Sequence, residues 1–293
     1  MQIDDERESS YVEDRRGGGG GYGRAGGVGI GGIAVALIAS YFLGIDPGTL
    51  LGLVETVQNG ASQHATQSGA RGIDPAADHE RGRVSEMKKI LAKTEDTWGE
   101  LFARNNAQYQ PPTLVLFRGS TPTACGSGQS AMGPFYCPGD QKVYLDLGFF
   151  DEMARRFHAG GDFARAYVIA HEIGHHVQKQ IGVTRKTEEL RGRLSAAQYN
   201  RVSVRVELQA DCFAGVWAHH ANRRRPFIQA GDVDAALTAA NAIGDDALQR
   251  SAGRAVVPDS FTHGSSAQRQ RWFSTGFETG SVKACDTFAV QSL

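Results

Sequence analysis

No two cysteines in this chain are spaced C-x-x-C, so a cysteine zinc knuckle is excluded. There is no excess of either charge. The 31 Lys and Arg stand against 32 Asp and Glu, which leaves no basic surface of the kind that binds nucleic acid. No internal repeat is visible. Glycine is abundant, at 37, but it clusters near the N-terminus and lacks the period of a fibrous protein. The 293 residues hold one large or two small domains. The four cysteines are Cys125, Cys137, Cys212 and Cys285. An even count fits two disulfides if the domain lies outside the reducing cytosol. Cys125 with Cys137 would close a Gly/Ser-rich loop, and Cys212 with Cys285 would tie the C-terminal tail to a helix. In a reducing compartment the same residues are four free thiols.

Two further absences divide the first third of the chain. Residues 1–24 lack the apolar residues to build a core and end in Arg15, Arg16, a five-glycine run and Arg24, which predicts a disordered tail. Residues 25–45 lack any charge. These 21 residues are long enough to cross the roughly 30 Å of a bilayer's hydrocarbon as one transmembrane helix. Arg15, Arg16 and Arg24 precede the run and no Lys or Arg follows it before Arg71. That asymmetry predicts a cytoplasmic N-terminus and a domain on the other side, periplasmic or extracellular. No small-x-small site ends the run cleanly, so an uncleaved single-pass anchor is expected in place of a removed signal peptide. A buried Gly-rich core helix is the alternative. Residues 46–82 are rich in Gly, Ala, Ser and Gln and read as a flexible tether, with His64 and His79 as solvated linker residues.

What is present is His-Glu-Ile-Gly-His-His at 171–176, an H-E-x-x-H motif. Residues four apart share a helix face, so His171 and His175 can converge on one metal ion. Glu172 lies about 100° round the helix, beside a water on that metal, where a general base belongs. Phe163, Ala166, Tyr167, Ala170, Gly174, Val177 and Ile181 recur at helical spacing, with Asp162 as a plausible N-cap. His176 points about 140° from His171, which predicts packing or support of a ligand and not coordination.

A hydrolytic zinc keeps three protein ligands and one open position. Glu207 is the candidate third ligand. Asp211, four residues on, shares its helix face and can hold the outer nitrogen of a ligand histidine. The pair sits among core-forming residues next to Cys212, and a buried carboxylate needs a partner.

The rest of 83–293 reads as one mostly helical α+β domain. Helices are expected at 84–104, 149–158, 162–181, 183–193, 196–222 with Ser195 as cap, 231–250 capped by Asp232, and 265–277. Strands are expected at 113–117 and 142–147, with a loop carrying Cys125 and Cys137 between them.

With H-E-I-G-H-H at 171–176 and E-L-Q-A-D-C-F-A-G at 207–215, the chain resembles the glutamate-zincins. More closely it resembles the neutral zinc metallopeptidase family of bacterial membrane-anchored proteins. Thr123-Ala124-Cys125, Gly133-Pro134-Phe135-Tyr136-Cys137-Pro138, KVYLDL at 142–147 and Thr262-His263-Gly264-Ser265-Ser266-Ala267-Gln268-Arg269 extend the likeness over most of 83–293. The resemblance implies a zincin-like domain with a small sheet, a Zn2+ cofactor and a peptide or protein substrate. Glu172 is then the base. His263, in a loop before a helix, is a candidate second electrophile for the oxyanion. The strand at 142–147 would be the edge that receives an extended substrate. A non-enzymatic, membrane-tethered module with structural zinc, binding an envelope partner, is the competing class, and a zinc hydrolase of non-peptide amides is a third. Oligomeric state and cleavage preference have no signature here.

Overall fold

The computed structural model describes residues 1–17, 78–130, 133–157, 160–253 and 255–293. The expected transmembrane run 25–45, most of the expected tether and His64 lie outside the described residues. Among the described residues no helix is long and apolar enough to cross a membrane.

Helices dominate, as the periodicity predicts. In chain order the elements are β1 (Val12–Asp14), α1 (Arg81–Arg104), β2 (Thr113–Phe117), β3 (Ser120–Thr123), β4 (Gly126–Gln129), β5 (Phe135–Cys137) and β6 (Lys142–Asp146). They continue with α2 (Gly148–Phe157), α3 (Asp162–Gln180), α4 (Val183–Arg191), α5 (Ala196–Arg224), α6 (Asp232–Ala242), α7 (Asp245–Ser251) and α8 (Ser266–Thr279). Ser195 and Ser265 each close a capping box, with Gln198 and Gln268, so the starts of α5 and α8 are set by sequence. Asp162 is not a cap: Gly161 holds that position, and Asp162 lies in the first turn paired with Arg165.

One sheet has the order β1-β2-β6-β5, with β1, β2 and β6 parallel and β5 antiparallel. The strand at 142–146 is therefore interior, and the edge that packs against α3 is β5. Three residues are too short for period-two alternation to show, which is why β5 reads as loop. Leu114, Leu116, Val143 and Leu145 join the main core, while Val115, Phe117, Tyr144 and Cys137 form a small cluster on the other face. A hairpin, β3–β4, carries Cys125 in its turn. Both disulfides form, Cys125–Cys137 and Cys212–Cys285, and there are no free cysteines.

Two other expectations are corrected. The single helix over 231–250 is broken into α6 and α7, and Gly231, not Asp232, holds the N-cap of α6. Gly244 passes so close to Ser266 that a Cβ would lie 2.5 Å from the Ser266 nitrogen. The carboxylates after the break turn outward from the helix to hold another loop. Asp245 accepts from the backbone N–H groups of Thr262 (2.7 Å), His263 (2.6 Å) and Gly264 (3.0 Å), and Asp246 from that of Ser266 (2.7 Å).

The second correction is at the start of the chain. Residues 1–17 are not a free tail. Ile3 and Ser9 are buried, β1 extends the sheet beside β2, and the arm lies along α1. Polar sequence alone predicts disorder because it cannot bury a core of its own. Here the arm borrows a core and a strand partner from residues far along the chain.

Candidate metal and catalytic site

The site is built where α3 and α5 cross. Gly174, inside the motif, allows the approach: a Cβ there would lie 2.9 Å from the carbonyl oxygen of Ala210. With the two backbones this close, Glu207 reaches both motif histidines. Its carboxylate lies 3.1 Å from His171 Nε2 and 3.5 Å from His175 Nε2. One ligand atom from each of His171, His175 and Glu207 falls within 4.8 Å of the others, and this trio is a group able to hold a metal ion.

Each histidine is turned toward that point by a partner on its outer nitrogen. Asp211 Oδ1 accepts from His171 Nδ1 at 2.8 Å. Gln178 Oε1 accepts from His175 Nδ1 at 2.9 Å. Both rings then present Nε2 to the shared space, the tautomer a zinc ligand needs. Two imidazole nitrogens and one carboxylate, with no fourth His, Cys, Asp or Glu in the group among the described residues, suit Zn2+ in a hydrolytic site.

The electrostatics agree with a cation there. Burial disfavours charge on His171, yet Asp211 and Glu207 raise its pKa to about 10. His175 is likewise raised: burial opposes its charge, and Glu207 more than offsets it. Burial would lift Glu207, but His175, His263 and His171 hold it well below the usual carboxylate range. Asp211 is brought down to about 2, against its burial, by Arg269 and His171.

Glu172 is buried beside the trio and outside it. Burial raises its pKa and the two histidines oppose the rise, leaving it above an ordinary carboxylate. The backbone of Tyr136, in β5, also opposes the rise. His176 faces away. Its Nδ1 meets Tyr136 Oη at 2.9 Å and its Nε2 the Gln110 carbonyl at 2.6 Å, and burial lowers its pKa to about 4. His176 thus fastens β5 to α3. His263 Nδ1 lies 3.3 Å from Asp245 Oδ1 and 3.0 Å from Thr262 Oγ1. Burial opposes charge on His263, while Glu207 and Asp245 raise its pKa overall.

Three supporting residues escape a motif reading. Tyr167 donates to Asp211 Oδ1 at 2.6 Å. Arg269 donates to both Asp211 oxygens, from Nε at 2.9 Å and Nη2 at 3.0 Å. Gln178 also donates to the Val206 carbonyl at 2.7 Å, tying α3 to α5. Tyr167 precedes His171 by four and Gln178 follows His175 by three, so helix-face spacing was an available signal for both. Arg269 had only its place in the motif at 262–269.

No solved structure matches the chain. Uncharacterized protein YpfJ of Escherichia coli (strain K12) is 48% identical over 296 residues, covering 98% of this chain and 99% of that protein. Uncharacterized protein Rv2575 of Mycobacterium tuberculosis (strain ATCC 25618 / H37Rv) is 43% identical over 195 residues, covering 63% of this chain and 65% of its own. The model of the family described as "Putative neutral zinc metallopeptidase" matches residues 1–288, and the chain belongs to that family.

Proposed function

We propose that the chain hydrolyses peptide bonds, with His171, His175 and Glu207 holding Zn2+ and Glu172 acting as general base. The observation that carries this reading is the arrangement around Glu172. It is a buried carboxylate next to the trio but outside it, with a raised pKa. A structural zinc site has no use for such a group, and a hydrolytic one does. Zinc, when bound, supplies Lewis acidity and lowers the pKa of water toward 7. Glu172 takes a proton from the attacking water and returns it to the leaving amine. Asp211 and Gln178 keep the histidines in register throughout.

The substrate strand is assigned to β5. It is an edge of the sheet, and it packs against the motif helix, where Tyr136 Oη meets His176. An extended peptide added to that edge gains main-chain hydrogen bonds and brings its carbonyl beside the base. His263, with Nδ1 held by Asp245, is the proposed donor to the carbonyl oxygen as charge develops there. The two disulfides support a location outside the reducing cytosol, and the uncharged run 25–45 supports attachment to a membrane.

The test is cleavage of a peptide library by the full chain, with and without a chelator. Cleavage that is lost on chelation and restored by Zn2+ is expected. Zinc binding without cleavage of any peptide would favour the structural-zinc module instead.

A further inference from the structure

The described part of the arm and the domain are one folded unit, and this bears on how the chain meets a membrane. β1 lies parallel to β2, with Val12, Glu13 and Asp14 opposite Leu114, Val115 and Leu116. The ladder is extended at both ends, by Leu114 N–H to the Tyr11 carbonyl at 2.9 Å and Arg15 N–H to the Leu116 carbonyl at 2.7 Å. Upstream, Ser9 N–H bonds to the Lys88 carbonyl at 3.1 Å, Lys93 pairs with Glu6 at 2.7 Å, and Ile3 joins the main core. Exposed ion pairs are worth little singly. A strand ladder with a buried apolar anchor is a different matter, since detaching it strands backbone groups and apolar surface together.

The arm ends at a clasp. Arg16, with only 3% of its side chain exposed, pairs with Asp14 at 2.7 Å, Asp78 at 2.7 Å and Glu80 at 3.2 Å. Arg16 and Asp78 thus stand in contact on the two sides of the stretch 18–77. Arg15 is also committed: it pairs with Glu13 at 2.8 Å and donates to Thr121 Oγ1 at 2.9 Å. Two of the three basic residues that suggest a cytoplasmic N-terminus are therefore structural parts of the domain.

We infer that residues 1–17 and 78–293 lie on the same side of any membrane the chain meets. A single crossing between residues 17 and 78 would part the arm from the strand and core that hold it. This inference rests on the packing of the arm and stands apart from the peptidase reading.

The experiment uses the full chain in intact cells. Ser10→Cys, on the exposed side of the arm, and Glu278→Cys, exposed on α8, are each probed with a membrane-impermeant maleimide before and after permeabilisation. Both variants are first shown to keep the parent's thermal midpoint. Both thiols labelled before permeabilisation is the expected result, and both labelled only afterwards equally upholds the shared side. One labelled before and the other only afterwards overturns it. Because neither residue belongs to the trio or to its hydrogen-bond partners, loss of peptidase activity in other variants has no bearing on this readout.

Discussion

The two motif histidines stand one turn apart on α3, yet they are supported in opposite ways. His171 is backed by charge. Asp211 is fully buried behind it, receives Tyr167 and the His171 ring, and is balanced by the buried guanidinium of Arg269. His175 is backed by a neutral amide. Gln178 holds its ring and is held in turn by the Val206 carbonyl and Gln209, which donates to the Cys285 carbonyl at 3.0 Å. The inner histidine depends on an ion pair that is costly to leave half-made. The outer one depends on hydrogen bonds whose loss is milder. One half of the site thus fixes charge as well as geometry, and the other fixes geometry alone.

Breaking the inner half has the largest expected effect. Arg269→Met leaves the Asp211 carboxylate buried without its cation, at a cost of about 3–5 kcal/mol in folding stability. Urea unfolding measures this. The Arg269→Met, Asp211→Leu double variant is expected to regain part of the loss, because the orphaned charge is gone. A double variant as unstable as the sum of the two singles would show that the pair does not act as a unit.

Asp211→Asn keeps the shape and removes the charge. Zinc affinity is expected to fall by about 10–100-fold, read by competition with a chromogenic chelator. The smallest effect belongs to the outer half. Gln178→Leu removes a neutral acceptor, and its expected loss of zinc affinity is nearer tenfold. A loss from Gln178→Leu equal to or greater than that from Asp211→Asn would remove the distinction between the two supports.

Much of this site was legible in the chain before any coordinates. Four-residue spacing brings His171 with His175 and Glu207 with Asp211 on their own helices, and the structure sets these faces against one another. The 140° offset of His176 places it on the β5 side. What spacing along one helix does not carry is contact between distant segments. Arg269 reaches Asp211 from 58 residues away. The α6–α7 break follows from a close approach between Gly244 and Ser266, which no local periodicity encodes. β5 is too short to declare itself, and its role as an edge depends on where β2 and β6 pair. The arm is the plainest case. Its residues are polar and glycine follows them, so their local preference is for disorder, while their hydrogen bonds lie with Lys88, Leu114 and Leu116. Long-range pairing overrides local propensity there.

The proposal that Glu172 is the base of a zinc peptidase is tested most directly by Glu172→Gln, measured for bound zinc and peptide turnover on the same sample. Because Glu172 lies beside the trio and not within it, zinc is expected to stay at the parent's stoichiometry. Turnover is expected to fall by about 10²–10⁴-fold, the range for a lost general base. Undiminished turnover with zinc retained would contradict the account, as would loss of the zinc itself.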